Sequence, residues 1–597
     1  MDTFKRIRNI LSAKEKRRFT ILLFVILIMG LLEVVGLASI LPFIQLVADP
    51  SIIESNGFLN SIYVATGLDS HRQMLVLTGV AVIGLIVFVN LFAIMTNWLT
   101  LKYNWDAAHA LSTRLLSVYL HNPYQYFLDT NSAYIASYVV AEVATVVKGV
   151  ILNVIAIISR GFVILILFSL LLVVDIKVAL TMFVILAGAY VVIFLIQRKF
   201  LKTLGEDRIK FNTQRFKSLL EAFRGIKTVM VYDKKELFEK NFAEASYGFS
   251  ETQPKLQMAL STPRHLLEIL AFSAIVCVTI YLYTSSGNFT EIVPKLTLYA
   301  LAGYRLIPAL QQVFSAAGSV RNSIPALDKV YDDLVKFKDL PKQDALSAQV
   351  SKINGDIQLT DITFTYPGSD GPALSKINLS IRKGEKIAFV GTTGSGKTTL
   401  VDLLLGLHQP DSGVISVGDS AINKQNLRNW RASVAYVSQD IFLFDDQLDN
   451  NIAFAKNQQD VDQDRLKEVL KIADLADFVS TLPDGLKTVI GENGVRLSGG
   501  QKQRIGLARA LFTSPDVLIL DEATSALDNT TEKGIIDSLA LLPKDITTII
   551  IAHRLSTVRD ADRIFLLEKG QIKDHGRYEQ LIDSSETFRE MAHLTQN

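Results

Sequence analysis

The stretch GTTGSGKT (391–398) sets glycines at 391, 394 and 396 around hydroxyls and one lysine. It lies between the β-rich run KIAFV and the apolar helical run TLVDLLLGL. Glycines there let backbone N–H groups turn inward, and the N-terminus of the following helix adds a favourable dipole. The positions Gly391, Thr392, Thr393, Gly394, Ser395, Gly396, Lys397, Thr398 and Thr399 therefore read as a phosphate cradle. Lys397 is spaced to reach the outer phosphates, and Thr398 to offer its hydroxyl to Mg²⁺. The hydrophobic run VLILDE (517–522) ends in two acids. Asp521 suits the Mg²⁺ shell, and Glu522 suits a general base that polarises an attacking water. LSGGQ (497–501) heads the helical run KQRIGLARALF. Ser498 and two backbone N–H groups among Gly499, Gly500 and Gln501 form an anion site at that helix start.

These groups need a scaffold that brings strand ends to one edge. The runs KIAFVG, SVAYVS, VLILDE and TTIIIA are short, β-rich and separated by helical patterns. They predict an α/β P-loop domain with a mainly parallel sheet over 353–597, behind a polar linker at 339–352. The part before it, 1–338, has a different composition. The whole chain is 597 residues, with 49% hydrophobic residues and a mean hydropathy of +0.29, and the excess lies in this first part. Six apolar spans are expected near 19–48, 73–101, 140–174, 178–198, 265–285 and 292–320. Residues 1–18 carry seven Lys/Arg and two acids, residues 49–72 carry one basic residue and three acids, and 198–264 holds 14 Lys/Arg. By the positive-inside rule the N-terminus and the two long loops face the cytoplasm. Most of each long loop has helical periodicity, so spans two to five should run on as helices. HNPYQYFLDTNSAY (121–134) and FRGIKTVMVYDKKE (223–236) are then their far tips. A formal charge of +2 gives no nucleic-acid footprint, and the single cysteine, Cys277, excludes an internal disulfide.

LSGGQ ahead of LILDEATSALD and behind a P-loop resembles the nucleotide-binding domain of ATP-binding cassette (ABC) transporters, over about 240 residues. On that resemblance Tyr366 in FTYPG stacks on adenine, and Gln439 in YVSQD touches Mg²⁺ and the membrane domain. Asp528 ends the D-loop, and His553 in IIIAHR holds the γ-phosphate. TVIGENG (488–494) resembles the loop that meets the cytoplasmic helix tips of exporters. In that family LSGGQ closes over a nucleotide on a second domain. The resemblance thus implies a homodimer with two composite sites, using ATP and Mg²⁺.

Six spans with long cytoplasmic helices ahead of the ATPase resemble the exporter architecture. LLEVVGLASILPFI (31–44), NPYQYF and YRLIPALQQ resemble the bacterial lipid-linked oligosaccharide flippases of the PglK type. That resemblance implies a polyprenyl-pyrophosphate glycan as cargo, moved across the bacterial inner membrane. The alternatives are an exporter of drugs, lipids such as lipid A, or peptides, and a regulatory ABC ATPase that does not transport. A lipid pyrophosphate needs cationic partners, and Lys148, Arg160, Arg264 and Arg305 are the candidates inside or edging the spans. Lys148 and Arg264 have snorkelling as an alternative, and Arg160 and Arg305 a buried pair with Glu33 or Glu268. Arg305 lies about 14 residues past the external loop, so about 20 Å deep along a helix.

Overall fold

The computed structural model describes residues 2–48, 57–66, 70–174, 176–286, 289–336, 351–454, 461–491, 494–495, 497–521, 529–552 and 554–594. The chain divides into two compact units, one of residues 1–122 and 126–341, the other of residues 342–597 with 123–125.

The first unit is helical. A short amphipathic helix α1 (Asp2–Ile10) leads into α2 (Ala13–Ala38). Four long helices follow: α3 (His71–Leu120), α4 (Leu152–Val174), α5 (Ile176–Arg224) and α6 (Lys235–Ser286), and the last, α7 (Phe289–Lys336), completes the unit. At 50 residues α3 is about 75 Å long, far more than a bilayer needs. Its apolar residues Val80, Ile83, Val87, Leu91 and Ile94 are all more than half exposed, a surface that lipid covers. Among the described residues, Ala13–Gly36, His71–Leu120 and Ser132–Ser169 are long and apolar enough to cross a membrane. The spans expected at 178–198, 265–285 and 292–320 fall on α5, α6 and α7, many of whose side chains lie outside the described residues.

The helix expected to run unbroken over 19–48 is interrupted at Ser39 before a second helix, Ile40–Ala48. The Ser39 hydroxyl donates to the Gly36 carbonyl at 2.8 Å, and Pro42 has no N–H for the carbonyl of Ala38. The far tips are turns: α3 ends at His121, and α5 ends at Gly225 ahead of a short helix, Ile226–Val231. Ahead of α4 the helix tightens and loosens through two π-turns, Tyr138–Glu142 and Val147–Ile151. Such bulges re-aim side chains. Here Glu142, 1% exposed, receives Arg208 of α5 at 2.6 Å and Asn212 at 3.2 Å. Sequence periodicity had no signal for this buried pair.

The second unit is built on two sheets. The antiparallel one is β1 (Ile357–Phe364), β2 (Leu374–Ile381), β4 (Ser412–Val417) and β5 (Ser420–Ala421), in the order 2-1-4-5. The other contains β3 (Lys386–Val390), β6 (Val434–Val437), β7 (Val517–Asp521), β8 (Thr547–Ile551), β9 (Arg563–Glu568) and β10 (Gln571–Gly576). Their order is 10-9-3-8-7-6, parallel except for β10. Successive residues of β3 alternate between two cores: Ile387 and Phe389 on one face, Ala388 and Val390 on the other. The first face is covered by the helix α8 (Lys397–Leu404), the second by α9 (Gly499–Phe512). Strands buried on both faces read as continuous apolar runs, which is how VLILD and TTIII look.

At the start of β9 Arg563 grips Glu385 with two bonds, Nε at 2.5 Å and Nη2 at 2.8 Å. Burial raises the Glu385 carboxyl, but this fork, the Arg382 backbone N–H and the two guanidinium charges outweigh it and hold it below the usual glutamate range. A depressed folded-state pKa adds stability above the unfolded value, about 4.3, and loses it as pH falls through the folded one. Glu385→Gln is expected to cost about 1–3 kcal/mol at neutral pH. Thermal unfolding of the full chain should show that difference shrinking as pH drops below about 4. A constant difference across that range would contradict the assignment.

Candidate functional site

Parallel pairing brings the ends of β3, β7, β8 and β6 to one edge: Asp521 is level with Ile551, and Val437 with Leu520. Open α/β sheets bind ligands at that edge. The loop 391–396 leaves β3 there and enters α8. Gly394 and Gly396 have φ of +80° and +104°, the left-handed region that suits glycine. A Cβ on Gly396 would lie 2.8 Å from Leu374 Cδ2, so the close approach also requires glycine. Lys397, buried in the loop, donates Nζ to the carbonyls of Gly391 at 2.8 Å and Thr392 at 3.1 Å. The Ser395 hydroxyl is buried with no hydrogen-bond partner. Thr392, Thr393, Gly394 and Thr398 are exposed at the mouth. An inward cradle with one orphaned donor and a poised ammonium fits the phosphates of a nucleotide.

The adjoining residues fit a divalent cation. Asp521, at the buried end of β7, accepts from the Tyr436 hydroxyl at 2.9 Å. Asp402 of α8 is a residue that sequence reading passed over, since an acid inside an amphipathic helix reads as a solvated one. Burial, then the charge of Asp521, pushes its carboxyl up to about 6. Two carboxylates that disfavour each other's charge, beside the Thr398 hydroxyl, are hard oxygen donors of the kind Mg²⁺ takes. Gln439 is exposed just after β6, on the same edge.

Tyr366 is half-buried after β1, edge-on to Phe364 at 5.0 Å and to His408 at 5.5 Å. Its hydroxyl meets Thr399 Oγ1 at 3.1 Å. Thr399 is buried, and this bond ties it to the tyrosine. Ser498 caps α9: its hydroxyl accepts from the Gln501 N–H at 3.2 Å, and the Gln501 side chain accepts from the Ser498 N–H at 2.9 Å. Ser498 and Gly499 are exposed, whereas Gly500 is buried. The Ser498 hydroxyl proton and the Gly499 N–H remain for an anion. Glu522, Asp528 and His553 lie outside the described residues. Glu522 directly follows Asp521, and His553 follows Ala552 at the end of β8.

The candidate cargo cations separate. Arg160 of α4 pairs with Glu33 of α2 at 3.1 Å. That pair lines a recess of about 280 Å³ with Thr96, Asn97, Ser159 and Gln312. Arg264 is exposed and bonded to Glu268, one turn on, at 2.7 Å. Lys148 is exposed over the Trp105 ring at 4.7 Å. The backbone of Arg305 is within α7, and its side chain lies outside the described residues.

Fold and site together define a helical membrane domain fused to a P-loop nucleotide-binding domain. Residues 374–525 match the ABC transporter family model, and residues 20–303 match the ABC transporter transmembrane region. An ATP-dependent lipid A-core flippase of Pseudomonas fluorescens is 30% identical over 513 residues, 85% of this chain and 84% of that protein. One from Vibrio cholerae is 34% identical over 374 residues, 62% of this chain; the chain spans only 63% of that relative's length. The solved structure of a bacterial Atm1-family ABC exporter with ATP bound has the same fold. Its TM-score is 0.79 at 21% identity, over 98% of this chain and 99% of that one. The chain belongs to the ABC transporter family.

Proposed function

We propose that this chain hydrolyses ATP to move a phosphorylated glycolipid across the bacterial inner membrane. It would work as a homodimer, with the N-terminus and the nucleotide-binding domain in the cytoplasm. The observation that carries this reading is the glycine cradle around Lys397, joined in one chain to lipid-covered helices such as α3. When bound, ATP supplies a phosphoanhydride and Mg²⁺ neutralises its charge. The chain's own part is positional: Ser395 and Lys397 offer donors to the phosphates, Thr398 and Asp521 offer oxygens to the cation, and Tyr366 offers a ring to the base. Gln439 and His553 sit in sequence where they sense the outer phosphate, and Glu522 takes the proton of the attacking water. Ser498, at the head of α9, serves the nucleotide on the second copy, and Asp528, which ends the D-loop, contributes to nucleotide binding. Closure is favoured with ATP bound and lost on hydrolysis, which drives the coupled helices.

Two cargoes share this chemistry. The relatives that are lipid A-core flippases favour lipid A-core. The similarity of residues 31–44 and of YRLIPALQQ to lipid-linked oligosaccharide flippases favours a polyprenyl-pyrophosphate glycan. Either presents phosphate to the membrane interior, and Arg305, about 20 Å deep by its position in the sequence, is the cation we assign to it. Arg305→Ala is expected to spare basal ATPase and lower flipping by roughly 10–100-fold, the loss of a charge-assisted contact. Arg305→Lys should recover part, since lysine lacks the planar fork. Proteoliposomes loaded with either lipid read the rate. Unimpaired flipping in a folded Arg305→Ala protein would remove the arginine from cargo binding.

A further inference from the structure

At the N-terminal end of the first span lies a second cavity, of about 330 Å³, between the α1–α2 turn and α3. Its lining includes Lys14, Glu15, Arg18, Tyr103, Asp106 and His109. Tyr103 is 7% exposed, and its hydroxyl is buried with no hydrogen-bond partner. A buried phenol left unpaired costs about 1–3 kcal/mol, so this wall lacks an acceptor or donor that something must bring.

The charges around it come in both signs. Arg18 bonds Asp106 at 3.2 Å, and Glu15 accepts from the Ser12 N–H through Oε2 at 2.6 Å, which leaves Oε1 open. Lys14 is exposed and makes no ion pair among the described residues. A purely anionic ligand would meet two carboxylates here, and a purely cationic one would meet Lys14 and Arg18.

The height in the membrane is also marked. The apolar run of α2 begins at Phe19, within a turn or so of Lys14 and Arg18, and that of α3 ends near Leu101. Trp98 and Trp105, on either side of Tyr103, are 58% and 60% exposed, as interfacial aromatics are. Lys102 lies over the Trp98 ring at 5.1 Å. The cavity thus opens at headgroup level, with Phe24, Ile21 and Leu101 exposed nearby to meet acyl chains.

We propose that this cavity binds the phosphoethanolamine headgroup of a membrane phospholipid. The phosphate lies against Lys14, Arg18 and the Tyr103 hydroxyl, which donates to it. The ammonium, with three donors, lies against Glu15 Oε1 and Asp106. A choline headgroup has no N–H to give these carboxylates, and a glycerol headgroup leaves them unneutralised. The cavity is at the small end for a ligand site, which suits a headgroup whose chains stay in the bilayer. The site contains none of the candidate cargo cations and does not depend on which lipid the chain flips.

The test uses the full chain, purified in detergent and stripped of lipid, with dioleoyl phosphatidylethanolamine as the probe. Phosphatidylglycerol and phosphatidylcholine of the same chains are the comparisons, and native mass spectrometry reads the affinities. Phosphatidylethanolamine should bind about tenfold more tightly than either. Tyr103→Phe, which removes one oxygen from a site the core still fills, and Lys14→Ala, which changes an exposed residue, should each remove most of that preference. Lipid-free ATPase equal to wild type shows that both variants fold. Equal affinity for the three lipids would overturn the proposal. So would a preference for phosphatidylglycerol, or phosphatidylethanolamine binding that neither variant alters.

Discussion

Glu522→Gln is expected to lower ATP turnover by about 10²–10⁴-fold, the range for loss of a general base. ATP binding should survive, because the cradle of Gly391 to Thr398 does not include this residue. The amide cannot take the proton of the attacking water, so the closed dimer should accumulate with ATP. β7 is buried along its length and ends at Asp521, at the edge where the P-loop leaves β3, and Glu522 is the next residue in the sequence. Single-turnover hydrolysis and nucleotide trapping read both effects. Turnover near that of wild type would take Glu522 out of the reaction.

Ser498→Arg is expected to abolish hydrolysis in the homodimer and leave nucleotide binding to the P-loop intact. A long cation in place of the hydroxyl obstructs the mouth of α9 and removes the acceptor for the Gln501 N–H, while the backbone N–H of residue 498 can still donate to the Gln501 side chain. The cap alone is worth about 1 kcal/mol, too little to unfold a domain with two cores. The effect should therefore fall on the partner's nucleotide. In mixed dimers of wild-type and Ser498→Arg chains, the damaged site is made with the wild-type P-loop. Full-rate hydrolysis by isolated monomers would contradict the shared-site account.

Much of the second unit was legible because its signals are local. Glycines at 394 and 396 announce left-handed backbone, and VLILD and TTIII announce strands buried on both faces. LSGGQ announces a capped helix, since serine three residues before glutamine is itself a capping box. What stayed hidden depends on contacts between distant segments. Asp402 reads as a solvated helix residue until β7 brings Asp521 beside it. Thr399 reads as part of the cradle, and its bond to Tyr366, 33 positions earlier, leaves no local signal in the sequence. In the membrane unit, periodicity finds apolar length but not a break. The interruption at Ser39 comes from a side-chain bond and a proline two positions into the next helix. The cargo cations show the same limit. Sequence marks Arg160 as a charge in hydrocarbon and leaves cargo contact and a pair with Glu33 both open, and the fold brings α2 and α4 together to make the pair.

The central claim is that ATP hydrolysis by this chain moves a phosphorylated glycolipid between leaflets. The direct measurement is leaflet accessibility of the lipid in proteoliposomes containing the purified full chain, with Mg²⁺ and ATP added outside. Lipid A-core and a polyprenyl-pyrophosphate glycan are run in parallel, with Glu522→Gln as the control. The account predicts ATP-dependent transfer of at least one of the two, faster than leakage and absent in the Glu522→Gln protein. ATP hydrolysis at a normal rate with neither lipid changing leaflet would contradict it.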